Sequence, residues 1–295
     1  MKYNLKLTLG LTLIAVLGTI AAAQQQPPPL KVANIKDNIY WTQGGAGGNT
    51  GIIVGTNGVI VVDTKTTVDS SKDVQAEIAK ITPKPVNTAI LTHSDGDHVN
   101  GLAGFSPGLT IIAQENCKAE MEASAGTRGA APQDRLPTKT IAMDETMNID
   151  GVRVRLLHWA PAHTSGDLVV YFPAQKVVFG GDLLVTNRPD TLIHVEKHGT
   201  VAGWIESVKG MLALDADTYV TGHGDLMTKD DVSKKLAFIQ DRWDKIKAMV
   251  AQGKSLDDVK TAMGESTAPP TPNAQGTMPP ASFTEIIYNE LAKKG

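Results

Sequence analysis

Directly after the strand-like run 86–92, four side chains able to bind metal ions or protons fall within six positions: His93, Asp95, Asp97 and His98. Only Ser94 and Gly96 separate them. An extended segment turns alternate side chains to one side, which groups His93, Asp95 and Asp97, and His98 follows at the start of the next helix. No hydrophobic core needs such a density of ionisable groups. Burying them is costly unless a cation compensates the charge, so the fold must bring a positive partner to this strand end.

Three later positions have the same placement. His163 joins two expected strands in Pro161-Ala162-His163-Thr164-Ser165-Gly166. Asp182 closes a strand in Phe179-Gly180-Gly181-Asp182, and His223 ends another in Thr221-Gly222-His223-Gly224. A single histidine at a strand end reads as an ordinary polar cap; the ordered set, each member at a strand–loop junction, reads as one site. The chain has one cysteine, Cys117, so neither a disulfide framework nor a cysteine zinc finger is available. Any metal must be held by His, Asp and Glu, and Cys117, in an expected helix, reads as a packed thiol.

With 41% hydrophobic and 20% charged residues and a net charge of −3, the 295-residue chain is globular and not a nucleic-acid binder. Lys2 and Lys6 precede an apolar run over 7–23 ending in Ala21-Ala22-Ala23, the pattern of an export signal cut after Ala23. An uncleaved anchor is the alternative, for which the run is a little short. We expect an exported chain, periplasmic or secreted. Its residues 24–295 should form one domain with a helical C-terminal segment and no further membrane span.

Strands are expected over 38–43, 51–55, 59–63, 86–92, 110–113, 152–159, 167–172, 177–179 and 218–221. Helices are expected over 68–81, from about Val99, from Glu115, and over 201–214, 232–250 and 283–292. Pro83 and Pro85 stop the first helix, and 127–137 and the Pro-rich 267–280 read as loops. Strands and helices interspersed through both halves suggest an α+β layered sandwich.

The ordered set resembles the metallo-β-lactamase superfamily, whose signature H-x-H-x-D-H is followed by distant His, Asp and His. The resemblance runs from the glycine-rich hairpin and Val61-Val62-Asp63-Thr64 through His223. It implies an α+β fold, an αββα four-layer sandwich, with two divalent metal ions along one edge of the sheets. By that resemblance His93, Asp95 and His163 hold the first metal, Asp97, His98 and His223 the second, and Asp182 bridges them. Asp63 matches a supporting carboxylate. The implied activity is that of a binuclear hydrolase acting on a small molecule. A metal-bound hydroxide would attack an ester, thioester, lactone or amide bond, with Asp97 the catalytic residue that orients it.

The chain departs from the family at Asp95, where a histidine is usual. A carboxylate makes the site more anionic and harder, so zinc is expected with iron or manganese as alternatives; or Asp95 does not ligate and one metal binds tightly. Three other readings stay open: an iron-dependent oxidoreductase of dioxygenase or diiron type, a β-lactamase, and a non-catalytic metal-binding relative. The zinc β-lactamases usually carry Cys or Ser where Asp182 stands. Trp41 and the hairpin tip 42–50 are expected to form a wall and a mobile flap over the site. The segment 183–200, with Arg188, Asp190, His194 and His198, should line its mouth, while His158 reads as structural. Gly104-Phe105-Ser106-Pro107-Gly108 fits G-x-S-x-G without the strand–turn–helix that motif requires. Gly253-Lys254-Ser255 lacks the first glycine of a phosphate loop, so no nucleotide cofactor is expected.

Overall fold

The computed structural model describes residues 27–127, 129–273 and 278–293, so the expected export signal over 1–23 lies outside them. A first sheet follows chain order: β1 (Lys31–Lys36), β2 (Ile39–Gln43), β3 (Thr50–Val54), β4 (Val59–Val62), β5 (Val86–Ile90), β6 (Thr110–Gln114) and β7 (Lys139–Ile141). The second contains β8 (Asp144–Ile149), β9 (Val152–Leu157), β10 (Val169–Phe172), β11 (Val177–Phe179), β12 (Thr218–Val220) and β13 (Met227–Thr228), in the order β13-β12-β11-β10-β9-β8. The helices are α1 (Val68–Ile81), α2 (Gly96–Val99), α3 (Glu115–Ala123), α4 (Val201–Ala213), α5 (Lys229–Ala251), α6 (Leu256–Ala262) and α7 (Phe283–Ala292).

The central strands are apolar on both faces, which lets each sheet be covered twice. On β4, Ile60 and Val62 pack between the sheets with Ile90, Val154, Val170 and Phe179. Val59 and Val61 point the other way, onto Val74 and Ile78 of α1 and Met121 of α3. The far face of the second sheet, through Val169, Tyr171, Val178 and Tyr219, packs on Trp204, Val208, Ile239, Trp243, Ile246, Val259 and Ile287 of α4–α7. Helix, sheet, sheet, helix is the four-layer α+β sandwich the sequence led us to expect.

Caps set the helix ends. Thr67 with Ser70 closes a capping box on α1, and Thr228 with Asp231 does so on α5. The second box starts α5 at Lys229, earlier than the expected 232, because the hydroxyl and carboxylate satisfy amides the apolar spacing ignores. α6 was not anticipated; Ser255 and Asp258 cap it the same way.

The expected extended run over 93–97 is corrected. At Gly96 the chain turns into α2, with His98 and Val99 donating their amides to the Asp95 carbonyl at 2.9 and 3.1 Å. Asp97 and His98 therefore leave the line of His93 and Asp95 and face a second position. β4, β5 and β6 are parallel, as are β11 and β12, and β9 runs with β11 because each is antiparallel to β10. The C-terminal ends of β4, β5, β9, β11 and β12 thus meet along one edge.

Candidate metal centre

That edge brings together all seven residues singled out in the sequence. Their donor atoms form three groups, each within 4.8 Å: His93, Asp95 and His163; His93, His98 and Asp182; and Asp97, His98 and His223. His93, His98, His163 and Asp182 are buried, while Asp97 and His223 reach solvent.

The direction each imidazole offers is set from behind. Asp63 follows β4 with φ of 61°, a left-handed conformation that an aspartate tolerates better than most side chains. One carboxylate oxygen accepts the Thr92 amide at 2.8 Å. The other accepts the Thr92 hydroxyl at 2.7 Å and His98 Nδ1–H at 2.9 Å. Because Thr92 Oγ1 donates to Asp63, it can only accept from His93 Nδ1, 2.9 Å away. His163 Nδ1–H donates to the Leu192 carbonyl at 2.9 Å. All three rings are thus proton-bearing at Nδ1 and turn Nε2 inward, as metal-binding histidines do.

Inside the cluster, lone pairs face lone pairs. His98 Nε2 lies 3.3 Å from Asp182 Oδ1, and His163 Nε2 lies 3.2 Å from Asp95 Oδ2. His223 Nε2 sits 3.0 Å from Asp97 Oδ2 and 3.5 Å from Asp182 Oδ2. His93 Nε2 and Asp182 Oδ1 are buried with no hydrogen-bond partner among the described residues. Unpaired buried acceptors cost more than most folds tolerate, so positive charge belongs among them. Imidazole and carboxylate donors in this number suit two divalent cations, and the residues present fit such a pair.

Without metal, protons fill the role. Burial lowers the His98 pKa, but the Asp182 and Asp63 carboxylates override it and hold it well above the ordinary value. Burial likewise opposes a charge on His163, yet the Asp95 hydrogen bond raises its pKa to about 9. His93, desolvated and beside His98, is pushed well below the ordinary value and stays neutral. Burial would raise the pKa of Asp95, Asp97 and Asp182; hydrogen bonds from His163 to Asp95 and from His223 to Asp97, and the charge of His98 beside Asp182, hold all three low.

Two expectations about the surroundings are corrected. Trp41 is packed in the inter-sheet core and forms no wall of the site. The hairpin tip 42–50 is tied down: Gly48 N donates to Asp97 O at 3.0 Å and Asn49 N to Gly222 O at 2.7 Å. The buried Asn49 amide also donates to the carbonyls of Thr221 and Gly224, each at 3.0 Å, holding the His223 segment. Lys65, fully buried, donates to the carbonyls of Gly44 and Gly48 at 2.8 and 2.6 Å. Burial lowers its pKa to about 8 against the pull of Asp63 and Asp97. Two glycines are required by approach alone: a Cβ at Gly48 would lie 2.2 Å from His98 Cε1, and one at Gly222 1.9 Å from Asp182 Oδ1.

The segment 183–200 contributes more than a rim. Arg188 and Leu192 line a cavity of about 170 Å³ over Asp95, Asp97, Asp182 and His223. Sequence reasoning placed His194 only at the mouth, yet its Nε2 is 3.0 Å from Asp95 Oδ2. Lys197, missed altogether, places Nζ 2.5 Å from Asp95 Oδ1. Asp190 turns away to Arg242 at 3.0 Å, and His198 is exposed in a left-handed turn. His158 Nδ1–H donates to the Asp167 carbonyl at 2.8 Å, and Cys117 is buried with its thiol pKa raised by desolvation.

Known proteins resemble the chain in sequence and in fold. The chain is 30% identical over 173 residues to the alpha subunit of a 2,4-dinitroanisole O-demethylase from Nocardioides sp. (strain JS1661), covering 58% of this chain and 51% of that one. It is 28% identical over 218 residues to a linear primary-alkylsulfatase from Pseudomonas sp. (strain ATCC 19151), covering 59% and 40%. The chain therefore spans about half or less of the length of these two relatives. A solved metallo-beta-lactamase from Pontibacter korlensis superposes with a TM-score of 0.62 at 20% identity, over 72% of this chain and 99% of that one. The model of one family, the metallo-beta-lactamase superfamily, matches residues 44–223, which hold every one of the seven converging side chains. By that match, over well more than half of its length, the chain belongs to the metallo-beta-lactamase superfamily.

Proposed function

We propose that the chain is an exported hydrolase whose His93, Asp95 and His163, and Asp97, His98 and His223, with Asp182 between them, hold two divalent cations, zinc above others. The observation that carries this is the inward set of Nε2 and carboxylate atoms, the rings of His93, His98 and His163 each turned by a partner behind it, with His93 Nε2 and Asp182 Oδ1 buried and unpaired. Cations bound there would supply a water whose pKa is lowered toward about 7 and would polarise the oxygen of the bond under attack. Asp97 Oδ2, half-exposed beside His223, accepts a hydrogen bond from the attacking water and orients it. Leu192 and Val185 narrow the cavity, and Arg188 adds positive charge at its mouth, favouring a small substrate with an anionic or strongly polar group next to the scissile bond. The bond attacked is an ester, thioester, lactone or amide, and the alkylsulfatase relative adds sulfate esters to that class. Asp182 in place of Cys or Ser weighs against a β-lactamase.

A second reading, iron-dependent oxidation, is favoured by one observation, the carboxylate of Asp95 where a histidine is usual. Metal analysis of protein purified without added metal separates the two: two zinc ions per chain support hydrolysis, and iron with oxygen-dependent turnover supports oxidation. The hydrolytic reading is tested on a panel of sulfate, carboxylic and thio esters, lactones and β-lactams with wild type and Asp97→Asn. We expect Asp97→Asn to lower kcat by roughly 100-fold or more. Undiminished turnover would overturn the role given to Asp97. Export is tested by N-terminal sequencing of secreted protein, expected to begin at Gln24.

A further inference from the structure

We infer that Lys197 is what allows an aspartate to serve at position 95: its ammonium neutralises the extra negative charge and confines Asp95 to one oxygen toward the cations. The inference rests on the metal-site reading above and deepens it by naming a residue that determines metal preference. The two oxygens of Asp95 have separate duties. Oδ2 faces the cluster, 3.2 Å from His163 Nε2 and 3.7 Å from His93 Nε2, with His194 Nε2 3.0 Å away at its outer side. Oδ1 faces away and takes Lys197 Nζ at 2.5 Å.

Lys197 is itself held. Its Nζ also donates to Ser94 Oγ at 2.9 Å, and the Ser94 hydroxyl donates to Glu120 of α3. Glu120 in turn accepts from Ser165 Oγ at 2.6 Å and Ser165 N at 3.2 Å, on the loop that carries His163. One network therefore joins the segment of Asp95, the segment of His163 and the loop after Asp182. Two of the three ammonium donors are spent on the protein, which marks Lys197 as a fixed charge and not a free arm for substrate.

The chemistry follows from charge. A neutral imidazole at 95 would add nothing to the net charge; aspartate adds one negative unit, and Lys197 returns one positive unit beside it. Both groups are mostly shielded, with side chains 14% and 28% exposed, so the interaction is weakly screened. With Oδ1 tied up, Asp95 donates less charge than a free carboxylate and cannot grip a cation through both oxygens. The first site then keeps a preference for zinc that an uncompensated Asp95 would shift toward harder cations such as manganese.

The test is zinc and manganese titration of metal-free protein against a chromophoric chelator, for wild type, Lys197→Met, Lys197→Arg, Asp95→His and the Asp95→His/Lys197→Met double variant. Lys197→Met should shift selectivity toward manganese by about tenfold while Lys197→Arg holds the wild-type ratio. Asp95→His alone should weaken zinc at one site by about tenfold or more, because Lys197 now repels the cation with no carboxylate between them. The double variant should recover that loss. A double variant no better than Asp95→His, or a selectivity unmoved by Lys197→Met, overturns the inference. Wild type that takes up no zinc sinks the metal-site reading itself, whereas additive effects in a zinc-binding wild type sink only the role of Lys197.

Discussion

Asp63→Asn asks whether one buried carboxylate orients both halves of the site. Asparagine is isosteric and tolerates the φ of 61° at this position, so the backbone should stay in place. Asp63 accepts from Thr92 N at 2.8 Å, Thr92 Oγ1 at 2.7 Å and His98 Nδ1 at 2.9 Å. An amide offers one oxygen and one NH2 in place of two oxygens. With the oxygen toward Thr92 Oγ1 and His98, the NH2 confronts the buried Thr92 amide, which loses its partner at a cost of about 1–3 kcal/mol. With the oxygen toward that amide, the NH2 faces His98 Nδ1 and pushes its proton to Nε2, where the cation should bind. Either outcome should lower zinc affinity roughly 10–100-fold, about 1.4–2.7 kcal/mol. The measurement is competition with a chromophoric chelator, with a circular dichroism melt to follow the fold. Zinc affinity within about twofold of wild type at both sites would refute the claim that Asp63 dictates where His98 carries its proton.

Gly48→Ala should place a methyl group 2.2 Å from a His98 ring that Asp63 already pins, costing about 1–3 kcal/mol and displacing the ring. Bound zinc after gel filtration should fall from two ions per chain toward one, and a variant that keeps both is evidence against this approach being limiting. The raised pKa values of His98 and His163, the latter about 9, mean both rings hold protons at pH 7 in the metal-free chain. Zinc loading in weak buffer at pH 7 should therefore release about two protons, and affinity should rise with pH up to about 9. Uptake of metal without proton release would contradict that. In the chelated protein the same histidines favour the folded state fully below pH 6.5. The His163 part of that contribution is lost as pH rises through about 9, so metal-free melting points should fall across the interval.

The central strands and the helices that cover them, α6 excepted, were legible because apolar residues run along each strand and recur at helical spacing along the longer helices, bounded by glycine, proline or a cap. The four strands that were not, β1, β7, β8 and β13, are the four sheet edges. An edge strand is half-exposed and carries polar side chains: in β8, exposed and partly buried residues alternate along Asp144–Ile149, and no apolar run announces it. Asp97 and His98 were found by residue type, but their turn into α2 was not. That turn depends on amides reaching back to the Asp95 carbonyl, a choice the extended and helical alternatives both allow.

His194 and Lys197 carry no periodicity and lie in an irregular segment, and Lys197 meets Asp95 across 102 positions of chain. Nothing local distinguishes Lys197 from any exposed lysine. By itself, then, the sequence determined which chemistry is present and that it sits at strand ends, since ligand types and hydrophobic runs are local properties. Only the tertiary structure decided which nitrogen of each imidazole faces the site, which oxygen of Asp95 faces the cluster, and that the glycine-rich hairpin is tied to the site by hydrogen bonds. Those outcomes depend on hydrogen bonds and ion pairs between segments that meet only when the two sheets pack.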